Sequence, residues 1–262
     1  MAAMRVEHIY RYPVKGLSAE ALEEVHLDPG AMLPEDRRFA LAHAATAFDP
    51  AAPAWLPKRN FACLMMNARL AALATSHDAK TGRLVIRAPD GTVLEDSTST
   101  PQGRAAIEDF LTAYMAEEAP GRLRLVEAQG HRFSDDPEKL VSLINLASIA
   151  ELEARMGVAL HKLRFRANVY FSGLPAWQEF AWIGQRIELG GATLEITGRT
   201  ERCAATTVNP ETALRDAPVP RALLTHYRHA DLGVFGRVVE GGRVALGDAI
   251  TLHLGEEEDA PG

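Results

Sequence analysis

A strand-rich α+β fold is predicted by three observations. Short β-prone runs bounded by Gly, Pro and Asp recur in both halves of the chain, helical spacing is confined to two stripes, and 262 residues with 47% hydrophobic and 24% charged side chains suffice for a full core. Many short strands joined by glycine turns favour a barrel or a sandwich. No internal repeat is visible.

In chain order, Val6 to Tyr12 reads as a first strand and Leu22 to Leu27 as a second, closed by the Pro29-Gly30 turn, with Arg38 to Ala42 as a third. Asp49 to Pro57, rich in Pro and Ala without a period, is a loop. Leu84 to Ile86 and Val93-Leu94 flank Pro89-Asp90-Gly91, a hairpin in which glycine supplies the positive φ. Thr100-Pro101 is a cap and first-turn pair for a helix whose Ile107, Phe110, Leu111 and Tyr114 share a face. Leu146, Ile149, Leu152 and Met156 form the second stripe, stopped at Gly157. Beyond Phe165 strands return: Asn168 to Phe171, Ile187 to Leu189 turning at Gly190-Gly191 into Leu194 to Thr197, and Gly233 to Val239 turning at Gly241-Gly242 into Val244 to Leu246. The pattern changes between Gly121 and Pro137, which divides the chain into residues 1–125 and 126–254, followed by an acidic, disordered tail over 255–262.

Composition removes whole classes of function. A net charge of -7 is wrong for a general nucleic-acid binder, which draws its affinity from Lys and Arg on phosphates. Two cysteines, Cys63 and Cys203, are too few for an iron-sulfur cluster or a disulfide framework. The first residues lack a signal-peptide core and no run of about 18 apolar residues exists. The expected setting is a reducing cytoplasm, without membrane or nucleic-acid partners. Phosphate-loop, dinucleotide-fingerprint, zinc-protease and serine-hydrolase motifs are all missing.

The chemistry-bearing candidates are a thiol and a scatter of cations. Cys203 follows a strand in the string Arg199-Thr200-Glu201-Arg202-Cys203, and arginines near a thiol favour the thiolate, which binds soft metals or attacks electrophiles. A buried cysteine used as a small apolar residue is the competing reading. Cys63, among Phe61, Leu64 and Met65, reads as core. Lys15, Arg37, Arg38, Lys58, Arg59, Arg164 and Arg166 sit at strand ends, where converging cations suit an anionic ligand and isolated ones are solvated. His229 and Asp231, two apart, read better as a turn into the next strand than as an acid/base pair.

Together these strings resemble a known family, proteins with a MOSC domain (molybdenum cofactor sulfurase C-terminal type) preceded by the MOSC N-terminal β-rich domain. The likeness runs from Tyr12-Pro13-Val14-Lys15-Gly16 through Asp36-Arg37-Arg38-Phe39, Leu56-Pro57-Lys58-Arg59-Asn60, Arg164-Phe165-Arg166-Ala167-Asn168 and Arg202-Cys203-Ala204-Ala205-Thr206-Thr207 to Gly233-Val234-Phe235-Gly236 and Gly247-Asp248. It implies a MOSC-type β-barrel domain with a smaller β-rich N-terminal domain and a few helices.

In the amidoxime-reducing branch of that family, the cysteine matching Cys203 ligates molybdenum. The resemblance therefore implies a molybdopterin-type molybdenum cofactor on Cys203, with Lys15, Arg37, Arg166, Asn168 and Arg202 around its pterin and phosphate, Lys58 as a further anion contact, and Thr206 beside the ligand. It implies an oxidoreductase that removes oxygen from small N-hydroxylated substrates, with electrons from an external donor protein of ferredoxin, flavin or cytochrome type. The alternative is a non-redox module that carries sulfur as a persulfide on Cys203 or stores the cofactor. Pyridoxal phosphate, which needs a Schiff-base lysine, fits poorly, because Lys15 and Lys58 are better explained as anion contacts. Four positions depart from the family pattern: Gly16 stands for a serine of the animal relatives, Ala167 for a proline, and Asn209 and Ala213 for an aspartate and a glycine.

Overall fold

The structure, a computed structural model, describes residues 3–119 and 121–253. The expected acidic tail lies outside the described residues.

Alternating apolar residues build one curled sheet from eight strands: β1 (Arg5–Arg11), β2 (Glu20–Leu22), β3 (Val141–Asn145), β4 (Val169–Ser172), β5 (Arg186–Leu189), β6 (Ala192–Glu201), β7 (Asp231–Glu240) and β8 (Ile250–His253). Their spatial order is β8–β5–β6–β7–β3–β4–β1–β2. Neighbours run antiparallel except β3 and β4. Val6, Ile9, Leu143, Val169, Phe171, Leu194, Ile196 and Val234 point into one shared core and are almost wholly removed from water. The curl brings the ends together: the Val6 N–H donates to the Asp248 carbonyl at 2.9 Å and the Gly247 N–H to the Val6 carbonyl at 2.8 Å, just ahead of β8. This is the barrel that the strand pattern and the resemblance imply.

Helices and smaller sheets complete the fold. The strands Ala74–Asp78, Arg83–Arg87 and Val93–Ser97 form an antiparallel sheet over which α1 (Pro101–Met115) lays Ile107, Leu111 and Met115. Thr100 caps α1 by accepting the Gly103 N–H at 3.1 Å, with Pro101 in the first turn, as the sequence predicts. α2 (Leu146–Met156) is capped by Asn145 and ends at Gly157, and packs Ile149 and Leu152 with the Val219 and Leu223 of α3 (Val219–Tyr227). No sequence expectation covered α3: its Val219, Ala222, Leu223 and Tyr227 keep helical spacing, but in only nine residues, with Pro218 as the cap and Pro220 in the first turn. Among the described residues no helix is long and apolar enough to cross a membrane.

Strand pairing crosses the division of the chain at residue 125. β1 pairs with β4 in the large sheet, and the strand Glu24–Leu27 pairs with Gly242–Ala245 in a separate two-stranded sheet, so both early strands are paired with strands of the second half. The joint is polar at one point. Asp36 is fully buried, and its carboxylate accepts the Tyr12 N–H at 2.7 Å, the Asn168 side-chain amide at 3.1 Å and the Arg37 guanidinium. Asn168 in turn accepts the Ser142 N–H and hydroxyl, tying the carboxylate to β3. Replacing Asp36 by Ala leaves these donors desolvated and unanswered, which costs about 3–5 kcal/mol. Denaturant titration is expected to show a lower midpoint at an unchanged slope.

Candidate functional site

Lys15, Arg37, Lys58, Arg166, Asn168, Arg202, Cys203 and Thr206 all line one cleft of about 400 Å³ at the end of the barrel. Seven local structures deliver them. Lys15 and Gly16 follow β1, Arg37 sits on the turn after Leu33, and Lys58 opens the short helical turn Lys58–Asn60. Arg166 ends the turn Lys162–Phe165, Asn168 precedes β4, and Arg202 and Cys203 leave β6 for the turn Ala204–Thr207. Asp135 comes from the segment between the two halves.

Cys203 is half-buried and faces this cleft, so packing does not account for it. Its carbonyl accepts both the N–H and the hydroxyl of Thr206, at 3.0 and 2.9 Å, which fixes the turn. Lys58 is a cation at its sulfur, together with the neighbouring Arg202. Burial pulls the Lys58 ammonium down, yet Asp135 and then the Cys203 sulfur hold it above its ordinary value. Arg199 instead pairs with Asp231 at 3.7 Å and lies over the Phe180 ring.

Arg202 and Arg166 are the unusual cations. Arg202 is buried and donates to the carbonyls of Phe165, at 2.9 Å, and Leu232. Room for it comes from Gly233, whose φ is +84° and where a Cβ would sit 3.2 Å from the guanidinium and closer still to Leu143. Arg166 has a left-handed backbone, lies 4.2 Å from the Tyr12 ring centroid, donates to the Leu17 carbonyl at 2.7 Å, and keeps a buried Nη2 with no partner. Neither arginine meets a carboxylate in an ion pair among the described residues. Burial pushes each down to about 10, which leaves both charged at neutral pH.

The remaining cations are matched. Arg37, also left-handed, bonds Asp36 and the Arg166 carbonyl. Lys15 bonds the Phe133 carbonyl at 2.9 Å and Asp135 at 2.5 Å, and Lys58 takes the other Asp135 oxygen at 3.2 Å. Burial would raise the Asp135 carboxyl, but Lys15 and then Lys58 outweigh it and bring it to about 2. The amide of Asn168 is engaged by Tyr10, Asp36 and Ser142.

Sequence reasoning missed Asp135 and Cys63 as lining residues and left Arg164 as one of several candidate cations. Asp135 lies in the stretch read only as a boundary, where Ser134-Asp135-Asp136 was the available signal. Arg164, flanking Phe165, is buried, pairs with Asp216 at 3.0 Å and leaves its Nε without a partner. Cys63 is buried as expected, yet it stands on the cleft wall, where burial pushes its thiol up against the opposing pull of the Met66 N–H and Lys15. His229 accepts the Asp231 N–H at 3.1 Å, the local turn that was preferred for this pair.

Three of the four departures have local causes. Ala167 keeps an N–H that donates to the Tyr170 hydroxyl at 3.3 Å, a bond proline lacks. Asn209 donates to Asp216 at 2.6 Å, which a second carboxylate cannot do. Gly16 has φ +85°, and a Cβ there would meet Leu70 at 3.0 Å and the Ala62 carbonyl at 3.3 Å.

Comparison with known proteins adds the following. The family model described as MOSC domain matches residues 130–251, and the one described as MOSC N-terminal beta barrel domain matches residues 3–122. Mitochondrial amidoxime reducing component 2 of Bos taurus is 27% identical over 122 residues, 42% of this chain and 36% of the relative. The same component of Rattus norvegicus is 31% identical over 94 residues, 36% of this chain and 27% of the relative. The aligned region thus spans about a third of the length of these curated relatives. The solved YUAD protein from Bacillus subtilis superposes at a TM-score of 0.47 with 16% identity, covering 97% of this chain and 98% of that one, a likeness too distant to add to the fold described above.

Two outcomes are expected at this site. Gly16→Ser is destabilising by about 1–3 kcal/mol, through a strained backbone and the Leu70 contact, read as a lower thermal midpoint. Asp135 is held below its ordinary value, so its contribution is present above about pH 4 and lost as the pH falls through about 2. Because its side chain is 54% exposed, Asp135→Asn lowers stability at neutral pH by less than about 1 kcal/mol and flattens the acid limb of a denaturation series.

Proposed function

This chain belongs to the MOSC-domain family, in the form where the MOSC N-terminal beta barrel domain comes first, and on that premise we propose that it is an oxidoreductase working through a molybdenum cofactor held by Cys203. The carrying observation is that a half-buried thiol, the buried Arg202 guanidinium and the half-buried Arg166, neither arginine with a carboxylate partner, face one cleft. An anionic ligand answers what the protein leaves open, namely the buried donors Arg166 Nη2 and Arg164 Nε.

A soft sulfur suits molybdenum better than a hard cation. Among the described residues no three His, Cys, Asp or Glu side chains gather around a point, and a metal held by Cys203 would draw its remaining ligands from the cofactor. Arg166 and Arg202 supply the charge that offsets a phosphate, and Lys15, Arg37, Lys58, Asn168 and Thr206 complete the walls. When bound, the cofactor supplies a metal that exchanges two electrons and accepts an oxygen atom. The protein's own part is to orient that group, shield it from bulk water, and keep a charged Lys58 beside the sulfur.

The substrate class is small N-hydroxylated compounds such as amidoximes or hydroxylated bases, in line with the names of the curated relatives. Reducing equivalents come from a separate donor protein of ferredoxin, flavin or cytochrome type, in a reducing cytoplasm. The residue 125 division is retained as the approximate border between the two domains. Pyridoxal phosphate is a poorer match, because both cleft lysines are committed to Asp135.

Elemental analysis after expression in a host that makes the cofactor tests this reading. Wild type is expected to carry about one molybdenum per chain and to reduce an amidoxime with an artificial donor, and Cys203→Ala to lose both while its circular dichroism is unchanged. A wild-type protein free of molybdenum that releases sulfur to cyanide would instead establish the carrier function.

A further inference from the structure

The two cysteine-bearing turns of the cleft come from different halves of the chain, and each is closed on itself. The first is locked by Asn67, whose side chain accepts the Cys63 N–H at 3.2 Å while its own N–H donates to the Cys63 carbonyl at 2.8 Å. The second is locked by Thr206 on the Cys203 carbonyl. One side chain joins them. Arg215 Nη1 donates to the Ala204 carbonyl at 3.0 Å and the Thr207 hydroxyl at 2.9 Å, and its Nη2 donates to the carbonyls of Leu64 at 3.1 Å and Met65 at 2.8 Å.

The guanidinium meets no carboxylate in an ion pair among the described residues, so its donors serve these two turns. It is also presented from a rigid arm. The backbones of Val208 and Arg215 pair, the Asn209 N–H donates to the Leu214 carbonyl at 2.8 Å, and Asn209 bonds Asp216. Within that arm Ala213 takes φ +56°, a left-handed conformation that an alanine holds only where its surroundings impose it.

We propose that Arg215 is a positioning residue that sets the width of the cleft at Cys203, by stapling the Ala204–Thr207 turn to the Cys63–Met66 turn with the two arms of one guanidinium. A planar fork is needed for this, since one nitrogen must face each wall. A lysine, with one ammonium on a flexible stem, reaches one wall at a time. The proposal rests on the geometry of the two turns and not on which cofactor the cleft takes.

Because Arg215 is exposed, its place can be refilled from solution. The full chain, made in a host without the cofactor pathway, is alkylated with iodoacetamide and the rate at Cys203 is followed by peptide mass spectrometry. Arg215→Ala is expected to speed that reaction about fivefold or more, methylguanidinium to restore the slow rate, and methylammonium to have no effect. Arg215→Lys is expected to behave as Arg215→Ala does. Rates within about twofold of wild type in either variant overturn the proposal, as does an acceleration that methylguanidinium leaves unchanged, which would mark general loosening of the fold. If Arg215→Ala fails to fold, Arg215→Lys decides alone: a fast Cys203 supports the staple and a wild-type rate ends it.

Discussion

A carboxylate with no access to water organises this molecule. Asp36 answers the Tyr12 N–H, the Arg37 guanidinium and the Asn168 amide, and those three groups belong to the end of β1, to the turn beside it and to the entry of β4. Burying a charge is unfavourable unless every lone pair is used, so the geometry around Asp36 tolerates little variation. The left-handed backbones of Arg37 and Arg166 are consequences, since the Arg37 guanidinium must reach both Asp36 and the Arg166 carbonyl. The Tyr12 ring then lies within 4.9 Å of both guanidinium carbons.

The cations of the cleft divide into two kinds. Lys15, Lys58, Arg37 and Arg164 each have a carboxylate, although Arg164 also keeps its Nε without a partner. Arg166 and Arg202 have carbonyls, an aromatic face and, for Arg166, one unanswered donor. Carbonyl dipoles hold a guanidinium in place without cancelling its charge, so the positive potential of the cleft comes chiefly from this second pair.

Much of the architecture could be read from the chain because its signals are local. Thr100-Pro101 and Gly157 mark helix ends by their own chemistry, and Pro89-Asp90-Gly91 turns a hairpin without outside help. α3 was missed because nine residues, capped by Pro218 and with Pro220 in the first turn, carry too short a period to stand out. At the site, residue types were legible and relations were not. That Lys58 rather than Arg199 meets the Cys203 sulfur depends on 144 intervening residues being folded, and Asp135 announces nothing until two lysines close on it. Cys63 was correctly placed in the interior, yet an interior position and a cleft wall are indistinguishable in a string of apolar neighbours.

The entanglement of the two halves bears on how the polypeptide is made. β1 is translated some 160 residues before its partner β4 and some 240 residues before Asp248, to which Val6 bonds. At translation rates of about 5–20 residues per second, that strand waits on the order of ten seconds or longer with an open edge. Nascent chains of this protein therefore expose a β-competent segment until β4 and the residues around Asp248 have been made, and the barrel closes only after them.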